Sequence, residues 1–192
     1  MRNRIFGDRP WFLAQLEIED NNGKRTVINS DESWKVSVNG PLKQSGIYEG
    51  ETYDATINFS GWDKPGFNDK NWSSAVIADE KVNPALLTWQ RNEPIRITNT
   101  IIARQVGKTP SGGLFFDIGE NISGWAKISG SAPAGTTATL KYAEALNEDG
   151  SLWRDALWRE GENIAAIDRY TFAGKGIESY EPHFTYHGFR YI

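Results

Sequence analysis

The chain holds only two histidines, His183 and His187, four residues apart in the closing stretch YEPHFTYHGFRYI. Imidazoles at that interval grip one metal ion when they sit on successive turns of a helix. The intervening Phe, Thr and Tyr are strand-forming types and predict a pleated segment instead. On a strand the two rings would share a face yet stand roughly 13 Å apart, at about 3.3 Å per residue. One ion cannot bridge them. No cysteine is present to complete a thiolate set, so the pair is expected to be half-buried strand histidines.

Carboxylates offer a second chemistry. In SGIYEGETYDATINFSGWD, Glu49, Glu51 and Asp54 fall close together beside Tyr48, Tyr53 and Trp62. Oxygen ligands near a turn suit calcium, and two carboxyls at a set separation suit glycoside hydrolysis. A solvated acidic turn is the plainer alternative, and nothing here resembles an EF-hand loop. Glu144 is a further carboxylate of interest, at the end of a predicted strand on a sheet edge. Gly119 and Gly124 flank Asn121 in a pattern that superficially suggests a phosphate loop. Such a loop requires a following helix N-terminus, whereas WAKISG reads as strand. Asp117 and Asn121 are expected to bond backbone within a tight connection. No nucleophile motif, Walker loop or HExxH signature occurs.

The elements that must position these residues are mostly strands. Period-two alternation places Phe12, Ala14, Leu16 and Ile18 on one face, and DNNGKR then turns the chain into TVIN, a hairpin signal. Trp34, Val36 and Val38 alternate with polar residues. So do Ala138, Leu140 and Tyr142, and then Tyr170 and Phe172. Asp149-Gly150 marks a bulged turn. The best helical candidate, GSLWRDALWREGENIAAIDRY, is interrupted by Gly161 and is expected to give at most two turns; FNDKNWSSA suggests one more. Pro84 and Pro94 bracket an irregular stretch before IRITNTIIARQV. The expected organisation is a partial β-domain over residues 1–85 and a complete antiparallel, jelly-roll-like β-sandwich over 86–192. The open edges of a partial sandwich predict association between chains.

Composition narrows the class. The 192 residues are 39% hydrophobic, enough for a core, with no apolar run long enough to span a membrane as a helix. A net charge of −4 argues against a nucleic-acid partner. Eight Trp, seven Tyr and nine Phe accompany 19 Gly and 8 Pro, a profile that suits a sandwich of short strands. Most of these rings are expected in the core, with some exposed for stacking on sugars. The opening MRNRIFGDRPWF lacks the apolar centre of a secretory leader, and no compartment follows from it.

Three stretches together resemble the non-catalytic β-domains of bacterial α-L-rhamnosidases. DIGENISGWAKISGSAPAGTTATLKYAEALNEDGSLW is similar to that family's D-x-G-Q-N-x-x-G, G-T turn and A-E-x-L-x-x-D-G pattern. DRYTFAGKGIESYEPHFTYHGFRYI resembles its D-x-Y and P-x-F-T-x-H-G-F-R-Y run. WKVSVNGPLKQSGIYEGETYDATINFSGWDKPGFNDKNWSSA resembles the N-terminal pattern ending in G-W and F-D-D-x-W. Glu120 replaces the usual Gln, and Thr56 stands where Arg often follows Y-D-A, which weakens carry-over of a binding role to that loop. The resemblance implies an inverting glycosidase whose catalytic carboxylates lie on an (α/α)₆ barrel absent from this chain. That barrel is then the expected partner, and no catalytic residue is assigned here. It also implies a rival role as a rhamnose-binding module, with calcium as an optional ligand. In that role Glu51 and Asp54 would contact the sugar and Trp62 would be the stacking platform. For the longer enzyme a periplasmic or extracellular setting is favoured, with a cytoplasmic one as the alternative; hydrolysis by Glu49 and Glu51, or by Glu144, is disfavoured.

Overall fold

The computed structural model describes residues 11–78, 88–109, 112–154, 158–159, 162–163 and 166–192. They form two compact units that interleave in sequence. One holds the described residues up to Asn39 and between Gly61 and Arg96; the other holds Gly40–Ser60 and the described part of Ile97–Ile192. Residues 40–60, which precede the expected boundary, thus cluster with the C-terminal strands.

In the first unit the hairpin follows the sequence pattern. Strands β1 (Gln15–Glu19) and β2 (Arg25–Asn29) pair antiparallel, with Gln15 opposite Asn29 and Glu19 opposite Arg25. The turn closes because the Gly23 N–H donates to the Asp20 carbonyl at 2.9 Å, while the Asp20 carboxylate accepts from the Asn22 and Lys24 amides. An Arg25–Glu17 ion pair crosses the ribbon. The apolar row behaves otherwise than expected. Phe12, Leu16 and Ile18 are exposed, because a two-stranded ribbon gains a buried face only when a second layer covers it. Two short strands, β3 (Lys35–Val36) and β6 (Ser73–Ser74), pair as well. FNDKNWSSA, expected to give one helical turn, forms an isolated hydrogen-bonded turn instead, with the Trp72 N–H donating to the Asp69 carbonyl.

The second unit contains the core. Its strands are β4 (Leu42–Gly46), β5 (Gly50–Asp54), β7 (Arg104–Lys108), β8 (Leu114–Gly124), β9 (Ile128–Gly130) and β10 (Thr137–Lys141). Then come β11 (Ala145–Leu146), β12 (Leu152–Trp153), β13 (Trp158–Arg159), β14 (Glu162–Asn163), β15 (Ile167–Thr171), β16 (Glu178–Tyr180) and β17 (His187–Tyr191). One sheet runs β10–β15–β5–β4, a second β17–β8–β7, and β16 pairs with β9; β11–β12 and β13–β14 are small hairpins. Every described pairing is antiparallel except β15 with β5.

Leu140 of β10 and Tyr142 just after it pack with Phe189 of β17, and Ile118 and Ile122 of β8 flank them. Tyr170, Phe172 and Tyr180 form an adjoining cluster with Tyr53 and Ala55. Ile128 and Ala138 touch both clusters, so the two sheets enclose one continuous core. The fold is all-β, an antiparallel-dominated β-sandwich, with no helix among the described residues. Where the sequence suggested helix, the chain contributes β12, β13, β14 and β15 instead; residues 155–157, 160–161 and 164–165 of that stretch lie outside the described residues. Asp117 and Asn121, expected in a tight connection, lie within the long strand β8.

Candidate functional site

On β15 the alternation that buries Tyr170 and Phe172 also buries Asp168, and on β5 the phase of Tyr53 buries Glu51. Both carboxylates are fully buried. The parallel register sets Tyr170 beside Tyr53, their rings stacked at 6.1 Å, and the preceding inward positions are Asp168 and Glu51. Two acids side by side in a core are tolerable only when surrounded by donors.

Asp168 has them. Its Oδ1 accepts the Glu51 backbone N–H at 2.9 Å, its Oδ2 accepts the Tyr142 hydroxyl at 2.6 Å, and His187 Nε2 stands 3.2 Å from both oxygens. The His187 ring stacks on Tyr142 with centroids 4.3 Å apart, and Tyr142 in turn tilts against Phe189. Glu51 is satisfied by one stretch of chain, from the last residue of β16 into the segment before β17. Its Oε2 takes the backbone amides of His183 (2.9 Å) and Phe184 (3.2 Å); its Oε1 takes the Tyr180 hydroxyl (3.1 Å) and faces His183 Nδ1 (3.3 Å). A carboxylate has about four lone-pair directions, and partners from the chain itself meet each oxygen twice. Burial, then the neighbouring Asp168 charge, pushes the Tyr142 phenol far above its ordinary range. Burial and Glu51 do the same to Tyr180.

Two exposed-side clusters brace the same strands. Arg190 forks onto Asp117, Nε to Oδ1 at 2.9 Å and Nη2 to Oδ2 at 3.0 Å, holding that carboxyl below its ordinary value and raising the guanidinium. Glu178 accepts the Ala173 and Lys175 amides and the Tyr170 hydroxyl, which lowers its own pKa. Burial first, then Glu178, raises Tyr170 to about 12.

The candidate sugar ligands fall in different surroundings. Glu51 is committed internally, as described. Asp54 is half-buried, and its Oδ1 accepts both the Thr56 amide (3.0 Å) and the Thr56 hydroxyl (2.5 Å), a self-contained turn. Trp62 is 60% exposed and belongs to the first unit, whereas Glu51 and Asp54 belong to the second. Glu144 is exposed, with its carboxylate close to Gly188. The histidines correct the strand reading. His187 begins β17 and is buried, but His183 lies in the irregular segment before it with a largely exposed side chain. Each ring turns toward a different carboxylate. Among the described residues no three His, Cys, Asp or Glu side chains gather as a metal would require. Asp168 was missed in the sequence and Tyr142 and Tyr180 were given no site role there, although an acid in phase with Tyr170 and Phe172 is a signal in itself.

The quoted motifs, Y-A-E, D-R-Y, G-E-T-Y-D and H-G-F-R-Y, therefore meet in one network. A family model described as alpha-L-rhamnosidase N-terminal domain matches residues 1–99, and one described as bacterial alpha-L-rhamnosidase concanavalin-like domain matches 107–192. An α-L-rhamnosidase of Streptomyces avermitilis is 40% identical over 187 residues, covering 97% of this chain and 18% of its own length. One from an Alteromonas species is 32% identical over 183 residues, covering 95% and 19%. The solved Streptomyces avermitilis enzyme, complexed with L-rhamnose, matches at a TM-score of 0.88 and 40% identity, over 97% of this chain and 18% of its own. The Aspergillus terreus enzyme matches at 0.79 and 32% identity, over 93% and 20%. The chain thus spans about a fifth of the length of the curated relatives it matches. By sequence and by fold it belongs to the α-L-rhamnosidase family, matching that family's N-terminal and concanavalin-like domains.

Proposed function

We propose that this chain is the non-catalytic β-sandwich portion of an α-L-rhamnosidase, a glycosidase releasing terminal L-rhamnose, and that it packs in the longer enzyme against an (α/α)₆ catalytic barrel. The observation that carries this reading is the commitment of both buried carboxylates to internal donors. An inverting glycosidase uses two carboxyls about 6.5–9.5 Å apart across an open sugar site. Glu51 and Asp168 are closed from solvent and saturated, so they support architecture rather than acid–base work. The test is an assay of the chain alone on 4-nitrophenyl α-L-rhamnoside. No release above buffer is expected. Release that scales with protein and vanishes in Glu144→Gln or Glu51→Gln would overturn the reading.

A second reading, a stand-alone L-rhamnose-binding module, draws on the exposed rings of Trp62 and Tyr48 and on the sugar held by the solved relative. Calcium would have to be held without Glu51, whose oxygens already have partners. A titration of amide NMR signals with L-rhamnose, with and without calcium, separates the two. Selective shifts within residues 47–62 support binding; unmoved signals remove it.

A further inference from the structure

We infer that residues 97–192 carry a strand-acceptor groove whose occupant is the chain's own segment 40–60. The regions matched as successive family domains are 1–99 and 107–192, so the segment comes from the first and folds with the second, apart from the rest of the first.

The groove is defined by what the segment satisfies. Along its backbone, the Ala166 N–H donates to the Tyr48 carbonyl (3.0 Å), the Ile167 N–H to Glu49 (3.2 Å), and the Ala55 N–H to Thr171 (2.9 Å). The Thr185 hydroxyl donates to the Gly46 carbonyl at 3.0 Å. Along its inner face, Tyr53 and Ala55 cover Tyr170, Phe172 and Tyr180. Glu51 contributes most. Its amide takes one Asp168 oxygen, and its carboxylate takes two backbone amides and a tyrosine hydroxyl. Without the segment those donors lie orphaned beside an uncovered aromatic wall, a combination that costs free energy at each unmade bond.

The groove is also selective. Position 50 adopts φ +89°, and a Cβ there would come 2.8 Å from Asp168 Oδ1 and run into the Ile167 carbonyl. Only glycine fits. Position 51 must present two acceptor oxygens at the reach of a glutamate, because Gln supplies one and Asp is a methylene shorter. Ala166, whose amide binds Tyr48, sits at φ +37°, a strained conformation that persists only where neighbours enforce it. The segment is therefore part of what shapes β15, not a strand laid on a finished sheet.

Native-state hydrogen exchange on the full chain tests this. Amides of residues 50–55 are expected to open in the same cooperative step as those of 137–141, 167–171 and 187–191, and at higher denaturant than those of 15–19 and 25–29. Exchange of 50–55 together with the β1–β2 hairpin, or ahead of 167–171, would overturn the inference. In Glu51→Gln, exchange through 137–141, 167–171 and 187–191 should quicken together by about tenfold or more, with 15–29 unchanged. Quickening confined to 50–55 would also overturn it. Gly50→Ala should act more severely, and the milder variant decides the matter where that one fails to fold.

Discussion

Asp168 meets three different kinds of partner, a backbone amide, a phenol and an imidazole, and it is fully buried. Asp168→Ala should therefore destabilise by about 3–5 kcal/mol, the usual result of stripping one partner from a buried charged cluster. Tyr142→Phe removes a single bond to a charged group and should lose about 1.5–3 kcal/mol. Urea midpoints of the two variants check the ranking, and a Tyr142→Phe loss equal to that of Asp168→Ala would contradict it. At this scale the sequence was half legible. Alternation in DRYTF and GETYDA shows the tyrosines and Phe172 as inward, and the same phase carries Asp168 and Glu51 inward with them. What alternation cannot show is which distant donors meet them, since His183 and Tyr180 lie well over a hundred residues from Glu51.

Strand pairing brings in longer-range ties. The Arg190–Asp117 fork joins β17 to β8, and Glu178 closes the turn that leads into β16. Both carboxyls are lowered from ordinary values of 3.8 and 4.5. A depressed folded pKa stabilises above the unfolded value and is lost as pH falls through the folded one. Stability should thus hold at neutral pH and decline below about pH 4.5, with Asp117→Asn and Glu178→Gln flattening that decline in acid titrations followed by circular dichroism. Both groups are partly solvated, so each contribution is modest. The β1–β2 ribbon poses a different problem. Its register was legible from DNNG and the alternation, but its burial was not, because covering a face depends on a second layer that period two does not encode. Its exposed Leu16, Ile18 and Val27 should drive concentration-dependent association. Sedimentation velocity should show Ile18→Lys shifting the chain toward monomer; no change would clear the ribbon.

Across the whole molecule, class and family were readable, since composition pointed to an all-β chain and motif order to the α-L-rhamnosidase family. The path of residues 40–60 was not, because a boundary drawn along a sequence cannot express a segment that leaves its neighbours for a later sheet. The phenols give a molecule-wide prediction. Burial raises Tyr142, Tyr180 and Tyr170, the last to about 12. A raised folded pKa stabilises below the unfolded value of 10.0 and is lost as pH climbs through the folded one. Tyrosinate absorbance from these three should therefore rise with unfolding on the alkaline side, in one step. A rise that ionises all seven tyrosines with native circular dichroism intact would rule out their burial.

The aromatic excess is shared between core and surface rather than filling the core alone. Tyr142, Tyr170, Tyr180, Phe172 and Phe189 are buried, while Trp11, Trp34, Trp62, Trp89 and Trp153 are exposed, Trp89 at 93%. Indole emission reports the polarity around the ring, so these exposed indoles move little on unfolding, and among the described residues the half-buried Trp72 and Trp125 carry more of the shift. The stacked phenols, with Tyr170 on Tyr180 at 4.9 Å and Tyr142 on His187 at 4.3 Å, lose their asymmetric surroundings completely. Near-ultraviolet dichroism from tyrosine should therefore report the loss of this core more fully than tryptophan colour does.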